Sequence, residues 1–350
     1  MTRVVVTFGT YQGTYSGAER MAWRTVESLA HQGHDITVLT DSPSMVDVRC
    51  LPADTTELPV QPELAHAFDL GKPQSADHGW QLARRFEIPF ALTPATDSSV
   101  WPDPVTGDHL CRQADMLFSM TKGEDGVLVG KGVSPDRITR IPAAPDVAGV
   151  ANPERFRRAY EISGPLVLFV GRRIAFKGYR RLLETMPLVW QALPDTVFAF
   201  AGPNAEPDAA AIFQRHADPR MIDLGVVDEQ QKHDAIAAAD VLCLPSSAEV
   251  FPVVFAEAWR LGKPVVSGDF PGAHDVVRHS VDGFVVPPRP AAIASALVEL
   301  ITDPPLRAAM GLEGLRRAER ELSWHAVATA VSAGYRRILG TTVSMFKCES

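Results

Sequence analysis

Short, largely apolar runs alternate along the chain with longer amphipathic segments. In the first half these runs are 4–8, 36–39, 90–93, 116–120 and 138–141; in the second they are 166–170, 197–201, 241–244, 264–267 and 283–286. A strand that is apolar throughout, instead of at alternate positions, is buried on both faces. With helix-length segments between such strands, the pattern predicts parallel sheets covered by helices, an α/β fold. The pattern breaks at "IPAAPDVAGVANPERF", residues 141–156, whose prolines and small residues predict a linker. The expected organisation is two Rossmann-like domains, 1–148 and 165–323, with a linker over 149–164 and a cleft between the domains. Ligands of such sheets sit beyond the carboxyl ends of the strands.

One of those strand ends leads into "SSAEVFPVVFAEAWRLGKPVVSG", residues 246–268, with two carboxylates, Glu249 and Glu257, framing an apolar run. Pro252 suits a first helical turn, and Gly262 with Pro264 ends the helix. Glu249 is then expected in the loop before the helix, and Glu257 about one turn inside it. The N–H groups of a helix start near Phe251, Pro252, Val253 and Val254 suit an anionic or hydroxyl-rich ligand. A carboxylate there can accept paired hydrogen bonds from vicinal hydroxyls such as those of a ribose. The plain alternative is a solvated cap at Glu249 and an exposed helix residue at Glu257.

Three further places carry candidate chemistry. Arg172 and Lys177 follow the strand 166–170, and two cations at a strand end suit a pyrophosphate; a solvated basic face with Arg173, Arg180 and Arg181 is the alternative. Gly17, in "YQGTYSGAER", falls at the turn after the first strand, where a missing Cβ lets backbone N–H groups approach a phosphate. Asp269 and His274 follow a later strand and read equally well as cleft or turn residues. Gly9, Gly13 and Gly17 do not form G-x-G-x-x-G, so a nicotinamide site lacks its fingerprint, and no G-x-x-x-x-G-K-[ST] loop occurs.

Composition narrows the classes. The chain has 350 residues, 46% hydrophobic and 22% charged, as globular domains do. No apolar run approaches the roughly 18 residues of a membrane span. The start reads as a buried strand and not a signal peptide, so a cytoplasmic protein is expected. The four cysteines are scattered, without a CxxC pair, and read as ordinary thiols. The net charge of −8 is uneven: residues 1–150 hold 12 Lys+Arg against 19 Asp+Glu, and the remainder 22 against 23. An acidic first half argues against nucleic acid and against insertion at an anionic membrane.

E-x7-E followed by "GKPVV" closely resembles the donor-site signature of the family-four retaining glycosyltransferases of GT-B fold. The likeness extends to "SGAERMAWRTVESLAHQGHDITVLT" (16–40), "QADMLFSMTKGEDGVLVGKGVSPDRITRIPAAPD" (113–146), "LVLFVGRRIAFKGYRRLLE" (166–184) and "DPPLRAAMGLEGLRRAERELSWHAVATAVSAGYRRIL" (303–339). The resemblance implies a nucleoside-diphosphate-sugar donor bound by 165–323 and an acceptor bound by 1–148. It also implies a C-terminal helix, 324–340, that crosses back onto the first domain. Arg172 and Lys177 would stabilise the departing diphosphate, Glu257 would hold the ribose and Glu249 the donor sugar. The family's usual histidine after the strand 90–93 is Ala95 here, and His66 and Asp97 are the nearest polar candidates for its place. No Asp-x-Asp occurs in the chain, so a metal-independent reaction without cofactor is expected. The expected acceptor is a soluble neutral or cationic sugar-like molecule. A nucleotide-sugar epimerase, or a binding protein of the same fold without turnover, stays open as the alternative.

Overall fold

The computed structural model describes residues 1–10, 16–147 and 149–347. The chain divides into two compact units, Met1–Ala143 joined by the C-terminal segment from Ser323, and Ala144–Leu322.

Unit 1 runs β1 (Arg3–Phe8), α1 (Gly17–His31), β2 (Asp35–Leu39), β3 (Arg49–Leu51), β4 (Leu64–Phe68), α2 (Pro73–Phe86), β5 (Phe90–Thr93), α3 (Pro104–Gln113), β6 (Met116–Ser119), α4 (Lys122–Gly130) and β7 (Ile138–Arg140). Among the described residues its strands form one seven-stranded sheet in the order β3-β2-β1-β4-β5-β6-β7, every pair parallel. The central strands are buried at every position, as strands covered on both faces must be.

Unit 2 runs α5 (Pro153–Ala159), β8 (Leu166–Val170), α6 (Tyr179–Ala192), β9 (Val197–Ala201), α7 (Ala209–Arg215), β10 (Met221–Gly225), α8 (Glu229–Ala238), β11 (Val241–Leu244), α9 (Val253–Arg260), β12 (Val265–Gly268), α10 (Ala273–Val276), β13 (Gly283–Val286), α11 (Pro290–Thr302) and α12 (Pro304–Glu321). Its parallel sheet has the order β10-β9-β8-β11-β12-β13. The order reverses between β8 and β11, which pair directly, and such a reversal is where doubly wound sheets leave a crevice. Aromatic residues Phe169, Phe198, Phe200, Phe255 and Trp259 fill the core beside this point.

The last helix, α13 (Trp324–Lys347), groups with unit 1 and packs on α1, β6 and β7. Gly334 permits this: a Cβ there would come within 2.7 Å of the Phe118 ring.

Three strands escaped the apolar-run criterion. β3 is a three-residue, largely exposed edge strand. β10 is an edge strand carrying Asp223. β4 is wholly buried, but His66 sits in its middle. The span 149–164, expected as a linker, contains α5, which packs on α8. No helix among the described residues is long and apolar enough to cross a membrane.

Candidate functional site

In unit 2 the loops that follow β8 and β11 are neighbours because those strands pair. The first loop tightens into a 3-10 turn, Ala175–Lys177, closed by Gly178 with φ 80°. The turn lies flat on the second loop: Ser247 N donates to Phe176 O at 2.8 Å. A Cβ on Gly178 would sit 2.2 Å from Pro245 O, so glycine is required twice, by dihedral and by space.

This junction brings two of the expected residues together. Lys177 Nζ donates to Glu249 Oε1 at 2.5 Å, and Ser246 Oγ donates to the same oxygen at 2.9 Å. Glu249 is buried, with 8% of its surface exposed. A carboxylate so placed needs a cation, and Lys177 supplies it. Glu249 lies in the loop ahead of α9, and Glu257 is the fifth residue of that helix.

The start of α9 carries no side-chain cap. Its first-turn N–H groups belong to Val253 and Val254. Pro252, expected among the main-chain donors, has no N–H; it is the N-cap residue, with φ −66°. Phe251 lies against the core, edge-on to Trp259 at 6.5 Å.

The basic cluster after β8 separates into roles. Arg173 is buried and pairs with Asp223 and Asn204, its guanidinium 4.0 Å over the Phe213 ring. Arg180 pairs with Glu206 and Asp208. Both hold the fold. Arg172 is only partly buried, one position before Arg173.

Glu257 has a partner that sequence reasoning missed. Lys232 Nζ, from α8, donates to Glu257 Oε1 at 2.8 Å. Both side chains are buried, 10% and 3% exposed. Nothing local signals this lysine: a lysine on a helix ordinarily reads as solvated, and its partner lies 25 positions away. Asp269 and His274 are exposed.

Unit 1 disposes its candidates differently. Gly17 is the first residue of α1, and a Cβ there would meet nothing within 4 Å. The helix start is closed by a capping box: Glu19 N donates to Ser16 Oγ at 3.1 Å and Ser16 N to Glu19 Oε2 at 3.0 Å. Gly13 lies outside the described residues.

The catalytic assignment of His66 does not survive. Its ring is fully buried, with Nδ1 2.7 Å from Tyr335 Oη of α13 and Nε2 2.8 Å from Thr93 Oγ1. Both nitrogens are taken inside the unit, and burial pushes the imidazole down to about 3. It is a neutral packing residue that ties α13 to β4. Asp97 caps a short turn, accepting from Ser99 N at 2.9 Å.

At the carboxyl ends of β4 and β5, Asp69 went unread and Ala95 was read only as the place of the missing histidine. Asp69, buried, and Ala95 both adopt left-handed φ, 71° and 57°. Thr96 Oγ1 donates to Asp69 Oδ1 at 2.6 Å. Glu124, in the first turn of α4, accepts from Met120 N at 2.7 Å. Burial pushes its carboxyl up to about 8.

The family model described as "Glycosyl transferases group 1" matches residues 164–303, from the approach to β8 through α11. Residues 164–303 are thus similar to the group 1 glycosyltransferases. A D-inositol 3-phosphate glycosyltransferase of Jonesia denitrificans is 26% identical over 295 residues, 75% of this chain and 69% of that protein. Among solved structures, sucrose-phosphate synthase of Thermosynechococcus elongatus superposes with a TM-score of 0.81 at 19% identity, covering 97% of this chain and all of that one. Anabaena HepE, solved with UDP and glucose, gives 0.82 at 15% identity, over 96% of this chain and 100% of that one. The fold of this chain is thus GT-B, and the matched segment contains Arg172, Lys177, Glu249 and Glu257.

Proposed function

We propose that this glycosyltransferase takes its sugar from a nucleoside-diphosphate sugar held by unit 2 and keeps the donor's anomeric configuration. The observation that carries the reading is the pairing of Lys177 with the buried Glu249, 2.5 Å apart, ahead of the uncapped start of α9. A diphosphate has the charge to draw Lys177 away from the carboxylate, with Arg172 as the second cation. The N–H groups of Val253 and Val254 suit the same anion or a sugar hydroxyl. Glu249, released toward the sugar, would then face a carbon that becomes cationic as the diphosphate leaves, where a carboxylate is favourable. Glu257 is assigned to the ribose. That HepE was solved with UDP supports a nucleotide donor for this fold.

Retention fits the absence of a base at Ala95. An inverting transfer needs a general base on the face opposite the leaving group. In a retaining transfer the acceptor attacks from the leaving-group face, and a diphosphate oxygen can take its proton. The protein's own cations stand in for a metal on the diphosphate. The acceptor is proposed to be neutral or cationic and bound by unit 1, most of which falls within the acidic stretch 1–150; the named acceptor of the Jonesia relative, an inositol phosphate, is the anionic contrast.

The test is one incubation series: UDP-, GDP- and ADP-sugars, with EDTA, against neutral, cationic and phosphorylated acceptors. Nucleoside diphosphate should appear only with an acceptor, persist in EDTA, and accompany a product whose proton NMR coupling matches the donor anomer. An inverted coupling, or loss in EDTA restored by Mg²⁺, sinks the corresponding part of the reading.

A further inference from the structure

Lys232 is held with unusual care for a lysine. It lies one turn inside α8, whose start is set by a capping box: Gln231 N donates to Asp228 Oδ1 at 2.7 Å and Asp228 N to Gln231 Oε1 at 3.2 Å. The next two residues are tied as well. His233 Nε2 is 2.8 Å from Asp146 O, and Asp234 Oδ1 accepts from Asn152 N at 2.7 Å. Three consecutive side chains therefore pin this turn, and the Lys232 ammonium stands 2.8 Å from Glu257 Oε1 and 2.9 Å from Glu229 Oε2.

Removing an ammonium and a carboxylate from water is costly, and replacing such a pair with apolar residues is often neutral or better for stability. Stability alone gives little reason to keep it. What the pair does secure is aim. A carboxylate is an acceptor with no proton of its own, and its two oxygens can take two hydroxyl donors. Lys232 occupies Oε1 from one side, while Oε2 has no hydrogen-bond partner among the described residues.

We infer that Lys232 is a positioning residue that holds Glu257 as an oriented acceptor for the 2′,3′-diol of the nucleotide, so that the protein selects ribo- over 2′-deoxyribonucleoside diphosphates. The inference rests on the assignment of Glu257 to the ribose. A site built to bond a hydroxyl rejects the analogue lacking it, because the acceptor is then left unpaired.

The test is calorimetric binding of UDP and dUDP, GDP and dGDP, and inorganic pyrophosphate to wild type, Lys232→Met, Lys232→Gln and Glu257→Gln. In wild type the preferred ribonucleotide should bind about 10- to 100-fold more tightly than its deoxy counterpart. In both Lys232 variants that ratio should fall below about 3-fold, with pyrophosphate binding unchanged. A preserved ratio in either folded variant overturns the role of Lys232 while leaving Glu257 on the ribose. Loss of pyrophosphate binding in both variants makes Lys232 a general structural residue and overturns the role too. No ribose preference in wild type, with Glu257→Gln binding as wild type does, removes the ribose assignment itself.

Discussion

The two units handle buried charge in opposite ways. In unit 2 each buried carboxylate beside the switch between β8 and β11 faces a lysine: Glu249 faces Lys177, and Glu257 faces Lys232. In unit 1 two titratable groups, His66 and Glu124, are instead shifted toward neutrality. His66 is pushed down to about 3 and Glu124 up to about 8, each chiefly by burial. Charge kept in pairs can be re-partnered by an ionic ligand, as a diphosphate donor requires. Neutral groups locked among hydroxyls and backbone cannot. The difference supports giving the diphosphate to unit 2.

The comparison can be broken most severely at Gly178. Gly178→Ala puts a Cβ against Pro245 O in a left-handed backbone, which should destabilise the protein by about 4 kcal/mol and separate Lys177 from Glu249. Denaturant melts check this; a loss under about 1 kcal/mol would mean the two loops are not locked.

In unit 1, His66→Leu strands the Tyr335 and Thr93 hydroxyls and should cost about 3 kcal/mol at pH 7. Its pH dependence is equally telling. The folded state holds His66 neutral down to about 3, while the unfolded chain protonates it near its ordinary value. Wild type therefore loses stability as pH falls from about 6.5 toward 3, and the leucine variant should lack that share of the acid limb. An unchanged acid limb would contradict the neutral assignment.

Glu124→Gln should have the smallest effect, with the opposite sign. The folded carboxyl stays protonated up to about 8 while the unfolded one ionises near its ordinary value. Wild-type stability therefore falls as pH rises through that window. The glutamine variant should be more stable than wild type by about 1–2 kcal/mol at pH 9 and nearly equal at pH 4. Melts at the two pH values decide it.

Much of this was legible in the sequence wherever one residue type served one purpose. Largely apolar runs predicted every strand but β3, β4 and β10, and Pro252 with Gly262 and Pro264 placed Glu249 before a helix and Glu257 inside it. Legibility failed where a polar residue is buried for packing. His66 interrupts β4, hiding the strand and imitating a catalytic group; its partner Tyr335 lies 269 positions away. Lys232 failed for the same reason, since only the fold brings α8 against α9. Asp69 and Ala95 failed because a left-handed backbone leaves no mark on a residue that is not glycine.

The central claim, that the nucleoside diphosphate belongs to unit 2, is tested most directly by calorimetric binding of the preferred nucleoside diphosphate to Lys177→Ala and Asp69→Asn side by side. The account predicts that Lys177→Ala weakens binding at least about 30-fold, the loss of a charge-assisted contact to phosphate, while Asp69→Asn binds within about 3-fold of wild type. Equal binding by Lys177→Ala and wild type, or a loss confined to Asp69→Asn, would contradict it.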